Sequence, residues 1–203
     1  MLYSGEKIGS GQFGDVYKAV FRGYLQVAAK QLKTDNEEES EKVLEEFFNE
    51  IKTMKGLNHP NLIQLFAFTT GNREGNFMIQ EFMAEGDLKN YLQKLKKEPA
   101  RMKADPKIWS KLLSWNIEVA RGMERLESLE IVHRDLAARY YLRFFLQVMT
   151  LLRNVLLDQF FRAKVADFGL AIPPSEGRKQ KGEKLPVKWT SPEALFQQEF
   201  TSM

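Results

Sequence analysis

Apolar residues along this 203-residue chain are spaced mostly as in strands up to about residue 80 and as in helices beyond Gly86, which restricts it to a fold with two unlike halves. In the first half the pattern is strand-like. Val16, Tyr17, Ala19 and Val20 lead through Arg22-Gly23 to Val27-Ala28-Ala29, two strands joined at a glycine turn. Leu62, Ile63, Leu65 and Phe66 begin another strand, and Phe77-Met78-Ile79 reads as one more. Between them, after the acidic run Asp35 to Glu41, Val43, Leu44, Phe47, Phe48, Ile51 and Met54 recur at helical spacing, ending at Asn58-His59-Pro60-Asn61. Beyond Gly86 the period is helical. Asp87 is the N-cap of a short helix through Leu92, and Lys94 to Lys107 reads as a solvated basic loop. Ile108, Leu112, Trp115, Val119, Met123 and Leu126 then lie on one face of a long helix. The pattern predicts an α+β chain: a strand-rich half with one helix, a connector near residues 81–86, and a mostly helical half.

Composition removes several chemistries. With no cysteine, disulfides, thiolate nucleophiles and cysteine-held metals are excluded, and two histidines, His59 and His133, leave little for a histidine metal site. A net charge of +3 gives no reason to expect nucleic acid. The first residues carry no apolar run of signal-peptide type. The most apolar stretch, residues 140–153, is too short to span a membrane and carries Arg143 and Arg153. The expectation is a soluble, cytoplasmic segment without membrane contact of its own, or the cytoplasmic part of something larger.

Gly9-Ser10-Gly11-Gln12-Phe13-Gly14 has the spacing of a phosphate-binding turn. A dinucleotide-binding turn shares it, but needs a helix immediately after. The strand formers Asp15 to Val20 follow instead, so a glycine flap between two strands fits better, its N–H groups free to approach an anion. Lys30 ends the apolar stretch Val27-Ala28-Ala29. A lysine at a strand end is ordinarily a surface charge. Glu50, however, sits at the margin of the helix's apolar stripe, where a carboxylate requires a cation, and Lys30–Glu50 is the expected pair.

His133-Arg134-Asp135 and Asp167-Phe168-Gly169, with the glycine run and Lys30, resemble the catalytic domain of protein tyrosine kinases. Asp135-Leu136-Ala137-Ala138-Arg139 and Lys184-Leu185-Pro186-Val187-Lys188-Trp189, followed by Ser191-Pro192-Glu193, point to the tyrosine rather than the serine/threonine branch. The resemblance covers nearly the whole chain. It implies ATP and Mg²⁺ as cofactors, with Asp135 as the base that accepts the substrate hydroxyl proton, Asn154 and Asp167 as metal ligands, and Lys30 on the α- and β-phosphates. Arg139 is the arginine of the catalytic loop, a place that Arg153 could also fill. Ile8, Gly9, Ser10, Gly11, Gln12, Phe13, Gly14, Val16, Ala28, Glu81, Met83 and Leu156 would surround the nucleotide. Within that set Glu81 and Met83 belong to the adenine-binding hinge, beside Gln80 at the gatekeeper position. Phe168, His133, Met54 and Leu65 resemble the apolar column joining the lobes of active kinases.

The implied fold has two lobes, 1–80 and 87–203, joined by a hinge at 81–86, the second lobe C-terminally truncated. Three departures stand out. Residues 140–153 separate Asp135 from Asn154 by nineteen positions where the family motif has five. Ten of those fourteen residues are apolar or aromatic, a poor composition for an exposed loop, and their removal restores the motif, as a retained intron or faulty gene model would explain. The chain ends at Met203, where relatives continue into further helices, so Glu193 would lack its usual arginine. Finally, no tyrosine lies between Asp167 and Glu193 to accept an activating phosphate; Glu176 or Glu183 could stand in as a weaker anion beside Arg134. The function implied is transfer of the ATP γ-phosphoryl group to tyrosine in protein substrates. The alternatives are a catalytically impaired nucleotide-binding scaffold and a non-functional fragment.

Overall fold

The computed structural model describes residues 2–11, 14–32, 37–70, 75–98, 106–133, 154–169 and 171. Five strands build the first sheet: β1 (Leu2–Gly11), β2 (Gly14–Phe21), β3 (Leu25–Leu32), β4 (Leu65–Thr69) and β5 (Phe77–Glu81). Their order is β1-β2-β3-β5-β4, with every pairing antiparallel. Arg22 and Gly23 both take left-handed backbone angles, φ 56° and 84°, which matches the twist of the two strands they join.

Helix α1 (Glu37–Lys55) packs Phe47, Ile51 and Met54 into the main core with Val43 and Leu44 partly buried against it, whereas Phe48, expected on the same face, is exposed. Met78 of β5 belongs to that core too, whereas Ala19, Val27, Ala29, Phe77 and Ile79 form a smaller cluster of their own. Neighbouring strand residues point to opposite faces, so one sheet carries two apolar sets.

The second half begins with a short strand, β6 (Gly86–Asp87), and helix α2 (Leu88–Lys97). Asp87 caps α2 as expected, its Oδ1 accepting from the N–H of Asn90 at 2.7 Å. The helix runs on to Lys97 instead of stopping at Leu92, so the first four residues of the supposed basic loop are helical. Lys94, Lys96 and Lys97 fall in its last turn, where cations offset the negative end of the helix dipole. Helix α3 (Ile108–Ser128) buries Ile108, Leu112, Trp115, Val119 and Leu126, five of the six residues its spacing singles out; Met123 is half-buried.

Two short strands, β7 (Val155–Leu157) and β8 (Ala163–Val165), complete a sheet ordered β6-β7-β8 that the residue pattern does not reveal. Strands of two or three residues are too short to show a period. This sheet is stitched to the first half by backbone. Leu62 forms a parallel bridge with Val165, Ile63 N–H donates to Val165 C=O at 2.9 Å, and Val165 N–H donates to Asn61 C=O at 2.9 Å. Leu62 is therefore part of this seam, and β4 starts only at Leu65. Helix α3 closes on the same seam at Gly122, where a Cβ would lie 2.8 Å from the Asn61 carbonyl oxygen. Only glycine permits that approach.

Candidate active site

Strand register sets the first group of side chains. Lys30 stands opposite Val16 on β2 and Met78 on β5, and Ala28 stands opposite Gln80. Directly paired residues share a face, so Val16, Ala28, Lys30, Met78 and Gln80 lie on the side that α1 covers. From that helix Glu50 reaches down, and Lys30 Nζ donates to Glu50 Oε2 at 2.6 Å. The expected pair is formed. The Glu50 side chain is 1% exposed and that of Lys30 13%, so neither charge is relieved by solvent.

A third charge acts on the pair. Burial acts to lower the pKa of the Lys30 ammonium, but the carboxylates of Glu50 and Asp167 outweigh it and raise it above the ordinary lysine value. Burial raises the pKa of Glu50 as well; Lys30 pulls it down, and Asp167 pushes it further up. Two carboxylates therefore act on one ammonium, Glu50 from the buried side and the exposed Asp167 from the solvent side. Among the described residues no three His, Cys, Asp or Glu side chains gather as a cage for a metal ion. Mg²⁺ does not require one, since it takes one or two carboxylates and completes its shell with water and phosphate oxygens. The donor set therefore fits Mg²⁺ shared with a phosphate ligand.

Asp167 is held by its neighbours. Its backbone is left-handed, φ 66°, a conformation that aspartate tolerates better than most residues but that still has to be imposed. On one side Ala166 N–H donates to Asn154 C=O at 2.8 Å, and Ala166 C=O lies 3.1 Å from His133 Nε2. On the other, Phe168 is buried against the His133 ring at a centroid distance of 5.2 Å. Met54 and Phe168 belong to one core, and Leu65 packs against it. Asn154, itself buried, begins the turn into β7.

The remaining residues divide cleanly. Gly9, Ser10, Gly11 and Gly14 lie where β1 meets β2, with Gly11 opposite Gly14, and Ile8 is exposed just before them. Ser10 Oγ donates to the buried carboxylate of Asp15 at 2.8 Å, and Lys7 Nζ lies 2.8 Å from the same oxygen, tying the two strands together near the turn. Gln80 Nε2 rests 3.2 Å from the Met54 sulfur and 2.8 Å from that of Met78. Met83 is buried beyond β5, and Leu156 is half-buried on β7. Gln12, Phe13, Arg134, Asp135, Arg139, residues 140–153 and residues 172–203, with Glu176, Glu183 and Glu193, lie outside the described residues.

Among the ionic contacts not read from the sequence, one spans the two sheets. Lys164 Nζ lies 2.8 Å from Glu81 Oε2, joining β8 to the end of β5. The available signal was a lysine inside the apolar run Ala163-Lys164-Val165-Ala166; a charge in such a run implies a buried partner.

This constellation, a lysine–glutamate pair beside an aspartate held at a strained turn, is that of a protein kinase. The chain belongs to the protein tyrosine and serine/threonine kinase family, whose model matches residues 2–203. It is 38% identical over 192 residues to the human tyrosine-protein kinase Srms, covering 94% of this chain and 34% of Srms. It is 37% identical over 199 residues to the tyrosine-protein kinase transforming protein Abl of Abelson murine leukemia virus, 96% of this chain and 23% of that protein. The sponge Spongilla lacustris supplies SRK3, 34% identical over 197 residues, 96% of this chain and 51% of SRK3. The chain thus spans about half or less of each of these relatives. Among the described residues no helix is long and apolar enough to cross a membrane.

Proposed function

We propose that this chain carries the phosphoryl-transfer site of a cytoplasmic protein tyrosine kinase, using Mg-ATP and acting on tyrosine hydroxyls of protein substrates. The observation that carries the reading is the buried Lys30–Glu50 pair within the electrostatic reach of Asp167. The similarity to three tyrosine-protein kinases supports the choice of tyrosine.

In this reading residues 1–80 and 87–203 form the two lobes and 81–86 the hinge. Glu50 holds Lys30 extended so that its ammonium meets the α- and β-phosphates. The glycines of 9–14 bring backbone N–H groups over the phosphates, while Ile8, Val16, Ala28 and Leu156 enclose the adenine ring, which the backbone at Glu81 and Met83 hydrogen-bonds. Asp167 and Asn154 supply oxygen ligands for Mg²⁺, which when bound neutralises charge on the transferring phosphoryl group. Asp135 accepts the proton of the attacking tyrosine hydroxyl, with Arg139 beside it. Such a site works by positioning and charge neutralisation, with little covalent chemistry for the protein to do.

The test is phosphotyrosine formation on an acidic-tyrosine copolymer, run with the chain as given and with a version lacking residues 140–153. Mg²⁺-dependent phosphotyrosine that vanishes in Asp135→Asn supports the reading. Nucleotide binding without phosphotyrosine in both versions would overturn it in favour of a nucleotide-binding scaffold. That second reading has its own observation, the fourteen residues between Arg139 and Asn154.

A further inference from the structure

The two halves of the molecule are joined by residues 82–85, which run from the end of β5 to the start of β6. The lower end of this connector is fixed by backbone: Glu85 N–H donates to Leu157 C=O at 3.1 Å, and Gly86 pairs with Leu157. At the upper end Glu81 N–H donates to Gln64 C=O at 3.0 Å. Its side chain, however, leaves the first sheet altogether and meets Lys164 of β8. Lys164 stands directly across from Leu156, so it shares a face with the residue placed against the nucleotide base. The pair is largely withdrawn from water, with side-chain exposures of 11% for Lys164 and 23% for Glu81.

We propose that Lys164–Glu81 is an ionic strap that fixes residues 82–85 and so sets the spacing between Ala28 above and Leu156 below; Lys164 is a positioning residue for the nucleotide. Several contacts point the same way. Lys164 belongs to the strand that leads directly into Ala166 and Asp167, so one short segment ties the connector to the metal-binding side of the site. Asn61 Nδ2 also donates to Ala163 C=O at 3.0 Å, and Glu118 Oε2 accepts from Ala163 N–H at 2.6 Å. The strand carrying Lys164 is thereby anchored from the first half and from α3. A lysine on a fixed strand can hold a connector in place; a lysine on a loose loop could not. The inference rests on the nucleotide reading only for its effect on ligand affinity.

The experiment compares the full chain with Lys164→Met, Lys164→Arg and the charge swap Glu81→Lys/Lys164→Glu, by amide hydrogen exchange and by direct titration with Mg-ATP. Exchange at residues 82–86 should rise about tenfold in Lys164→Met, with Val27 to Lys30 unchanged, because only the connector opens more often. Affinity for Mg-ATP should fall about five- to tenfold, as the fraction of molecules with a formed site drops. Lys164→Arg should restore both to within about twofold, and the swap should restore exchange at residues 82–86 to within about twofold. Unchanged exchange at 82–86 in Lys164→Met, or a swap as loose as the single variant, overturns the strap while leaving the kinase reading intact. Should the parent chain show the exchange pattern without binding Mg-ATP, the strap stands and the kinase reading falls. If Lys164→Met does not fold, the swap and Lys164→Arg decide: both must match the parent in exchange at 82–86, and a swap looser than Lys164→Arg overturns the strap.

Discussion

Two lysine–glutamate pairs of nearly equal length do different work in this protein. Lys30–Glu50, at 2.6 Å, joins a strand to the helix that covers it, wholly within the first half. Lys164–Glu81, at 2.8 Å, joins strands of different sheets. The first is deeply desolvated and feels a third charge, Asp167. The second keeps part of its surface in water, so its strength is tempered by screening. Distance alone therefore says little about an ion pair. What it connects, and how much water it has lost, decide what its removal does.

The largest effect that could break this contrast comes from Lys30→Met. It leaves Glu50 buried without a cation and should destabilise the fold by about 3–5 kcal/mol in chemical denaturation, besides abolishing phosphotransfer. A loss no greater than that of Lys164→Met would remove the distinction. Gly122→Ala comes next. Its Cβ would press on the Asn61 carbonyl at the seam between the halves, and overpacking of this kind costs about 1–3 kcal/mol. An unchanged melting temperature would mean that α3 can retreat from the seam.

Acid provides a finer probe. Burial works against the charge on Asp158, yet the N–H and guanidinium of Arg162 and the N–H of Phe160 outweigh it and hold its carboxyl below the ordinary value. A depressed folded-state pKa makes its contribution complete above the unfolded value of about 4 and lost as pH falls through the lower folded value. Asp158→Asn should therefore flatten the fall in stability below about pH 4 while leaving Lys30–Glu50 untouched. An acid limb identical to the parent's would assign that loss to other carboxylates. The smallest effect is expected from Asp87→Ala, about 1 kcal/mol by thermal melting, since it removes one cap from α2 and no charge pair.

What could be read beforehand followed from whether a feature was local. Lys30–Glu50 was legible because each partner announced itself: a lysine closing an apolar strand and a carboxylate at the edge of an apolar helical stripe. The faces of α1 and α3 were legible for the same reason, as periodicity is a property of one segment. Lys164–Glu81 was not. Its partners are 83 positions apart, and nothing in either neighbourhood names the other. The small sheet β6-β7-β8 escaped because its strands are too short to carry a period, and the extension of α2 to Lys97 because lysines look alike on a helix and in a loop. Asp167 was found through its motif, whereas its left-handed backbone depends on Asn154, His133 and Ala166, which only the fold assembles.

The seam where Asn61 to Ile63 meet Ala163 to Val165 has a consequence for how the molecule is made. Asn61 and Ala163 are joined across 102 positions, so the five-stranded sheet emerges from the ribosome long before the backbone that pairs with residues 61–63 beside it. Contacts of such long range form late and slowly. Until β8 is synthesised, the nascent chain presents Leu62 and Ile63, both buried in the finished protein, without the backbone that will cover them. For that interval the exposed apolar surface favours aggregation.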